Sequence, residues 1–203
     1  MLINGEEDES RDALYARYLA SFTSESFGGN IAQYKQYVNA IAGVGGCKVQ
    51  PVWNGAGTVK VVAISSEHGA CSEYLINQIQ EAASPTQGSG YGFAPIDHEV
   101  TVVSVNAVKV NVMAKLAYMS GYGWSSLKDA VTAKISDYLK SLATVWADGD
   151  SSTKTTVYVA KLQAAVLDVP GVVDITETQL NGATGNLILD WDQIPVVGEV
   201  STL

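Results

Sequence analysis

Two stretches of this chain repeat one pattern: NAIAGVGGCKVQPVWNGAGTVKVVAI, from Asn39 to Ile64, and AVLDVPGVVDITETQLNGATGNLILD, from Ala165 to Asp190. Each reads as the end of an amphipathic helix, then Gly-Val, a β-rich run, Asn-Gly, a further glycine and a second β-rich run. Gly43 to Asn54 spans 11 positions and Gly171 to Asn181 spans 10. Glycine stops a helix, and Asn-Gly supplies the positive-φ residues of a tight hairpin turn. The pattern therefore predicts two helix-and-hairpin units, each with its strand register set by the turn. Neither copy carries an obvious catalytic residue or needs a ligand to form, so the repetition speaks of architecture rather than chemistry.

The remaining periodicities build a unit around each device. Leu14, Tyr15, Tyr18, Leu19 and Phe22 recur at helical spacing from Arg11 to Phe22. Asn30 is a good N-cap for a second helix with Ile31, Tyr34, Val38 and Ile41, which Gly43, Gly45 and Gly46 break. Cys47 to Trp53 and Thr58 to Ile64 read as the first hairpin, with Pro51 implying an edge strand or a bulge. Ser72 to Ala83 gives a helix with Leu75, Ile76 and Ile79 inward. SPTQGSGY, from Ser84 to Tyr91, opens a Gly/Ser/Pro-rich linker.

Beyond it, Glu99 to Val105 reads as a strand, and Val108 to Tyr118 alternates apolar and polar residues as a half-buried strand does. A helix capped by Ser125 or Ser126 buries Leu127, Val131, Ile135, Tyr138, Leu139 and Leu142. A further helix, Val157 to Leu167, leads into the second hairpin, Val172 to Leu180 with Asn186 to Leu189. The expected fold class is α+β, in two small modules: residues 1–84, with hairpin 47–64 and helix 72–83; a linker over 85–95; and residues 96–203, ending in hairpin 172–189.

Composition excludes several functions. Twelve basic against 21 acidic residues give a net charge of −9, and no Lys/Arg cluster exists, which disfavours a nucleic-acid partner. No stretch reaches the roughly 18 apolar residues of a membrane span, and the acidic first ten residues do not resemble a signal peptide. Cys47 and Cys71 lie in different segments, which fits a reducing cytoplasm. Only 16% of residues are charged, against about 25% in ordinary soluble domains. A surface poor in charge suits a protein covered by neighbours in an assembly, or a Ser/Thr-rich solvated monomer.

The residues able to carry chemistry do not assemble into a site. His68 and Cys71, in HGAC, are two candidate ligands where a tetrahedral metal needs three or four. His98 follows Asp97 without a nucleophile elbow or a reactive-cysteine motif nearby and reads as a satisfied surface histidine. Asp148 and Asp150 resemble the start of a calcium loop, but Thr153 stands where glycine is required and Val159 where the closing glutamate belongs. Asp190 and Asp192 flank Trp191 and read as turn-forming acids rather than paired catalytic carboxylates. GSGYG, Gly88 to Gly92, has no lysine and opens no helix, so it is not a phosphate cradle. The expectation is no catalytic residue, no metal ligand, no cofactor and no small-molecule substrate.

Five blocks in order then carry a resemblance: GGNIAQY (28–34), PVWNGAGTVKVVAI (51–64), GYGFAPIDHEVTVVS (90–104), VPGVVDI (169–175) and LNGATGNLILDWDQIPVVGEV (180–200). In this order and spacing the chain resembles the C-terminal part of the baseplate J-like family, wedge proteins of contractile phage tails and their prophage or tailocin relatives. Asp97 stands where the family continues Ala-Pro-Ile with glycine, which predicts a different turn there. Family members are longer, with an additional N-terminal region.

The resemblance implies a non-enzymatic structural subunit of the tail baseplate, part of the virion and assembled in the bacterial host cytoplasm. It would link hub and tube to the peripheral baseplate through other wedge and hub proteins and through copies of itself. The alternative is a small non-enzymatic ligand- or protein-binding module with a cleft between its two units. A hydrolase using Asp190, Asp192 or His98 is a third class.

Overall fold

The computed structural model describes residues 28–203 together with Arg11. The helix expected from Arg11 to Phe22 lies, apart from Arg11, outside the described residues. The chain is α+β, with two units built on separate three-stranded sheets.

In the first unit, helix α1 (Ile31–Asn39) starts where Asn30 accepts a hydrogen bond from the Gln33 N–H at 2.8 Å. Strands β1 (Val44–Pro51) and β2 (Thr58–Ser65) then pair antiparallel. Helix α2 (Glu73–Ala83) is capped by the Ser72 hydroxyl and leads through a crossover loop to β3 (Glu99–Ser104), which pairs parallel with β2. The sheet order is β1-β2-β3, so Pro51 lies on an edge strand, where its missing N–H costs no ladder bond. Tyr34 and Val38 of α1 and Leu75 and Ile79 of α2 pack on one face, against Val49, Val61 and Val100.

The second unit holds β4 (Asn106–Tyr118), α3 (Trp124–Thr144), a single 3-10 turn (Trp146–Asp148), β5 (Thr155–Val157), α4 (Val159–Leu167), β6 (Val172–Leu180), β7 (Leu187–Leu189) and β8 (Gln193–Thr202). Its main sheet runs β6-β4-β8, antiparallel then parallel. Along α3 the buried residues are Leu127, Val131, Ile135, Leu139 and Ala143, one every fourth position, so a single stripe faces the sheet, chiefly over β8. Neither Ser125 nor Ser126 is the cap: Gly123 stands at that position, and Ser126, inside the first turn, accepts from the Gly123 N–H through its Oγ at 3.2 Å.

Three expectations are corrected. The strand from Glu99, assigned to the second module, belongs to the first sheet, so the Gly/Ser/Pro-rich segment 85–95 is an internal crossover rather than a break. Its backbone is tied on both sides, by Phe93 N–H to Ala82 O and Ala94 N–H to Ala83 O at one end and Asp97 N–H to Gly88 O at the other. The units meet at Val105, the single residue between β3 and β4.

The first hairpin closes more loosely than an Asn-Gly turn. Its last registered pair is Pro51 with Val59, and positive φ falls on Val52, Gly55 and Gly57 rather than on Asn54. The second Asn-Gly does form a two-residue turn, with φ of 52° at Asn181 and 81° at Gly182, closed by Leu180 N–H to Ala183 O at 2.8 Å. Yet no hairpin follows: β6 spends its ladder on β4, and β7 pairs with β5 instead. A turn fixes only the pair that closes it, and packing of Leu187, opposite Val157, on the core selects the partner of the next strand.

Asp97 takes a φ of 65°, a left-handed conformation that glycine favours.

A Cβ at Gly182 meets nothing within 4 Å, so substitution there tests backbone strain alone. Gly182→Ala is expected to lower unfolding free energy by about 1 kcal/mol, whereas Gly185→Ala, equally open but without positive φ, stays within about 0.5 kcal/mol. Urea unfolding of the two variants beside the parent chain checks the pair.

Candidate functional site

The feature that distinguishes this molecule is the joint between its two units. β2 is the element that sets it. Val61, Val62, Ala63 and Ile64 are all fully buried, so both faces of this strand are covered. Val61 and Ala63 face α1 and α2, while Val62 and Ile64 face Val105, Ala143, Trp146 and Ile194. The last turn of α3 and the start of β8 thus complete the packing of a strand in the other unit. The run VVAI carries this signal, since a strand buried on both faces reads as continuous rather than alternating.

Polar contacts at the joint come from three lysines of the first unit. Lys35, on α1, donates to the carbonyls of Ala147 at 3.3 Å and Gly149 at 3.0 Å, beyond the C-terminal end of α3, where free carbonyls favour a cation. Lys48, on β1, is completely buried. Its Nζ donates to Thr153 O at 3.0 Å and Trp191 O at 3.1 Å and lies 4.8 Å from the centre of the Trp146 ring. Lys60, on β2, pairs with Asp192 at 3.4 Å and sits over the Trp191 ring at 5.3 Å.

Burial pushes the Lys48 amine down to about 8; Asp150 and Asp192 oppose the shift and Lys35 adds to it. Trp146 donates its Nε1–H to the same Trp191 carbonyl, at 2.9 Å. Gly46 has a φ of 152°, and a Cβ there would collide with that of Ala147, so the close approach of the 3-10 turn to β1 requires glycine.

The residues singled out in the sequence fall mostly around this joint, in supporting roles. Asp150 accepts from the Ser152 Oγ and N–H and from the Thr153 Oγ, and these bonds hold its carboxyl well below the usual carboxylate range. That local lock shapes the 148–153 loop so that Thr153 presents its carbonyl to Lys48. Val159 begins α4 and is no ligand; its N–H donates to Asn186 Oδ1. Asp190 and Asp192 do lie in a turn, before β8, and diverge: Asp190 pairs with Lys154 at 3.0 Å and Asp192 with Lys60.

His98 is half-buried and stacks on Tyr34, whose hydroxyl shares a hydrogen bond with His98 Nδ1 at 2.8 Å. Burial pushes the Tyr34 phenol up to about 12, so it keeps its proton. His68 lies in the turn after β2 with φ of 57°, and Cys71 donates its N–H to Ser104 Oγ at 2.8 Å. Burial raises both thiols, Cys47 to about 12. Among the described residues no three His, Cys, Asp or Glu side chains gather as a metal would need. Gly88 to Gly92 is bound into the crossover loop, where a Cβ on Gly92 would overlap the Ala83 carbonyl. Sequence reasoning missed Lys48, because a lysine between Cys47 and Val49 reads as the solvent face of an edge strand.

A protein of this kind is defined by a fixed relation between two α+β units rather than by a pocket. Comparison with known proteins identifies the class. Residues 26–104 match the Baseplate J-like central domain and residues 110–203 the Baseplate J-like protein C-terminal domain. The chain belongs to the baseplate J-like family. The first matched segment ends with β3, just before Val105, and the second begins at Val110 within β4.

Two proteins of Bacillus subtilis (strain 168) match the whole chain: the uncharacterised protein YqbT at 30% identity and the phage-like element PBSX protein XkdT at 29%. The chain spans 56% of the length of each. Its fold resembles part of the anti-feeding prophage baseplate, solved by cryo-electron microscopy. That likeness covers 97% of this chain and 43% of that one, with a TM-score of 0.62 at 11% identity.

The buried lysine gives a pH test. Below about pH 8 both folded and unfolded chains hold the Lys48 proton, and the fold bears the cost of a desolvated cation. Between about 8 and 10.5 the unfolded chain keeps the proton that the folded chain has released, so stability due to this group rises with pH. The unfolding free energy of the parent chain relative to Lys48→Met is therefore expected to increase by about 1–3 kcal/mol from pH 7 to pH 10. Urea titrations at fixed ionic strength measure that difference, and a flat or falling one contradicts the assignment.

Proposed function

We propose that this chain is a structural subunit of a contractile phage, prophage or tailocin tail baseplate. In this reading it is the part of a wedge component that links hub and tube to the peripheral baseplate. The single observation that carries the reading is the match of both baseplate J-like domains, in order, over nearly the whole chain. The joint fits such a task. A component that holds neighbours at set positions needs its own units fixed, and Val105, the core around Val62 and Ile64 and the three lysines fix them.

The reading gives the chain no catalytic chemistry. The side chains that could have served a hydrolase are committed elsewhere: His98 to Tyr34, Asp190 to Lys154 and Asp192 to Lys60. The binding-module alternative required an open cleft between the units; the core of their meeting surface is occupied by Trp146, Ile194 and Val105, with one hollow beside it between Lys48 and Thr153 and another between His68 and Val197. Contacts with other baseplate proteins and with copies of this chain would use exposed apolar side chains such as Tyr74, Tyr91 and Ile96. No described helix is long and apolar enough to cross a membrane.

Electron microscopy of particles from cells lacking the gene, beside a complemented control, tests the proposal. Tails without baseplates, or no tails, with restoration on complementation, are expected. Intact infectious contractile particles in the deletion strain would overturn it.

A further inference from the structure

The outer edge of β3 ends the first sheet, and its backbone groups have no neighbouring strand. Two glutamine side chains take that strand's place. Gln87, in the crossover loop, meets Val100 twice: its Nε2 donates to Val100 O at 2.7 Å and its Oε1 accepts from the Val100 N–H at 2.8 Å. This is the double exchange that a paired strand residue makes across a ladder. Gln80, on α2, continues it: its Oε1 accepts from the Val102 N–H at 3.0 Å and its Nε2 donates to Val100 O at 3.0 Å. At the end of the strand, Ser104 Oγ accepts from the Cys71 N–H. The outward N–H and C=O of Val100 and the N–H of Val102 are thus taken by side chains of the same chain.

We propose that Gln80 and Gln87 are an edge guard: their amides close β3 against addition of a strand from another copy of this chain. The sequence of the edge explains the need. EVTVVS is β-branched and apolar, with one charge at its start and no proline or lysine, the devices that usually blunt an edge. The opposite edge of the sheet is handled otherwise, by Pro51 and by the second unit packed over β1 through Lys48. In an oligomer that brings many copies together, an unguarded β3 would offer a pairing unrelated to the intended contacts.

Replacing both amides by the near-isosteric thioether tests this. In Gln80→Met/Gln87→Met, hydrogen exchange at the Val100 and Val102 amides in dilute protein is expected to speed up at least about tenfold, as loss of a hydrogen bond implies. Mass by light scattering is expected to rise with concentration well beyond the parent chain, and the two amides are expected to regain protection in the larger species. An unchanged mass profile would overturn the proposal, as would association that leaves those amides fast. If the double variant does not fold, Gln87→Met alone decides. Its side chain is exposed, so folding is retained, with faster exchange confined to Val100 and a smaller rise in mass expected. A parent-like mass profile for that variant counts equally against the guard.

Discussion

Val105 is the constraint on which the rest of this structure depends. It is the only residue between the last strand of one sheet and the first of the next, it is 2% exposed, and its backbone is engaged. Its N–H donates to Ala63 O at 2.8 Å, and the following N–H, of Asn106, donates to Asp192 O at 2.9 Å. A connection this short and this buried leaves the two units no freedom to separate. β2 must then be covered on both faces, and the C-terminal turn of α3 must reach across the joint. Gly46 follows from the same approach, because the 3-10 turn comes too close to β1 for any side chain at that position.

The polar part of the joint is more easily explained as alignment than as net stabilisation. Burying an ammonium group costs more than most single contacts return, and Lys48 meets two carbonyls and an aromatic ring rather than a direct carboxylate partner. Each contact is directional, however, and both carbonyls come from loops of the second unit, at Thr153 and Trp191. Misplacing either loop would strand a buried cation. Lys35 and Lys60 add partly exposed contacts of smaller worth on either side. Apolar packing brings the units together, and the lysines select one arrangement among those the packing would allow.

Local elements were the legible part of the sequence. Asn30 caps the helix it should, the every-fourth-residue stripe of α3 is present, and the alternation along β4 is that of a sheet with one open face. Pairing was less legible. Asn181-Gly182 gives the turn but not the hairpin, and Glu99–Ser104 crosses back to the first sheet, because strand partners are chosen by long-range burial that no local motif records. Of the joint, only the run Val61 to Ile64 had a signal, in its lack of alternation. Lys48 had none: its burial depends on loops more than one hundred residues away in the chain. The resemblance to the baseplate J-like family rested on block order across the whole chain, which changes of strand partner do not disturb.

The central claim is that the two units behave as one body. Differential scanning calorimetry of the chain measures this most directly, since units coupled through a shared core unfold together. A single transition whose calorimetric and van't Hoff enthalpies agree is the predicted result. Two resolved transitions, or a calorimetric enthalpy well above the van't Hoff value in a reversible scan, would show that the units melt independently and would contradict the account.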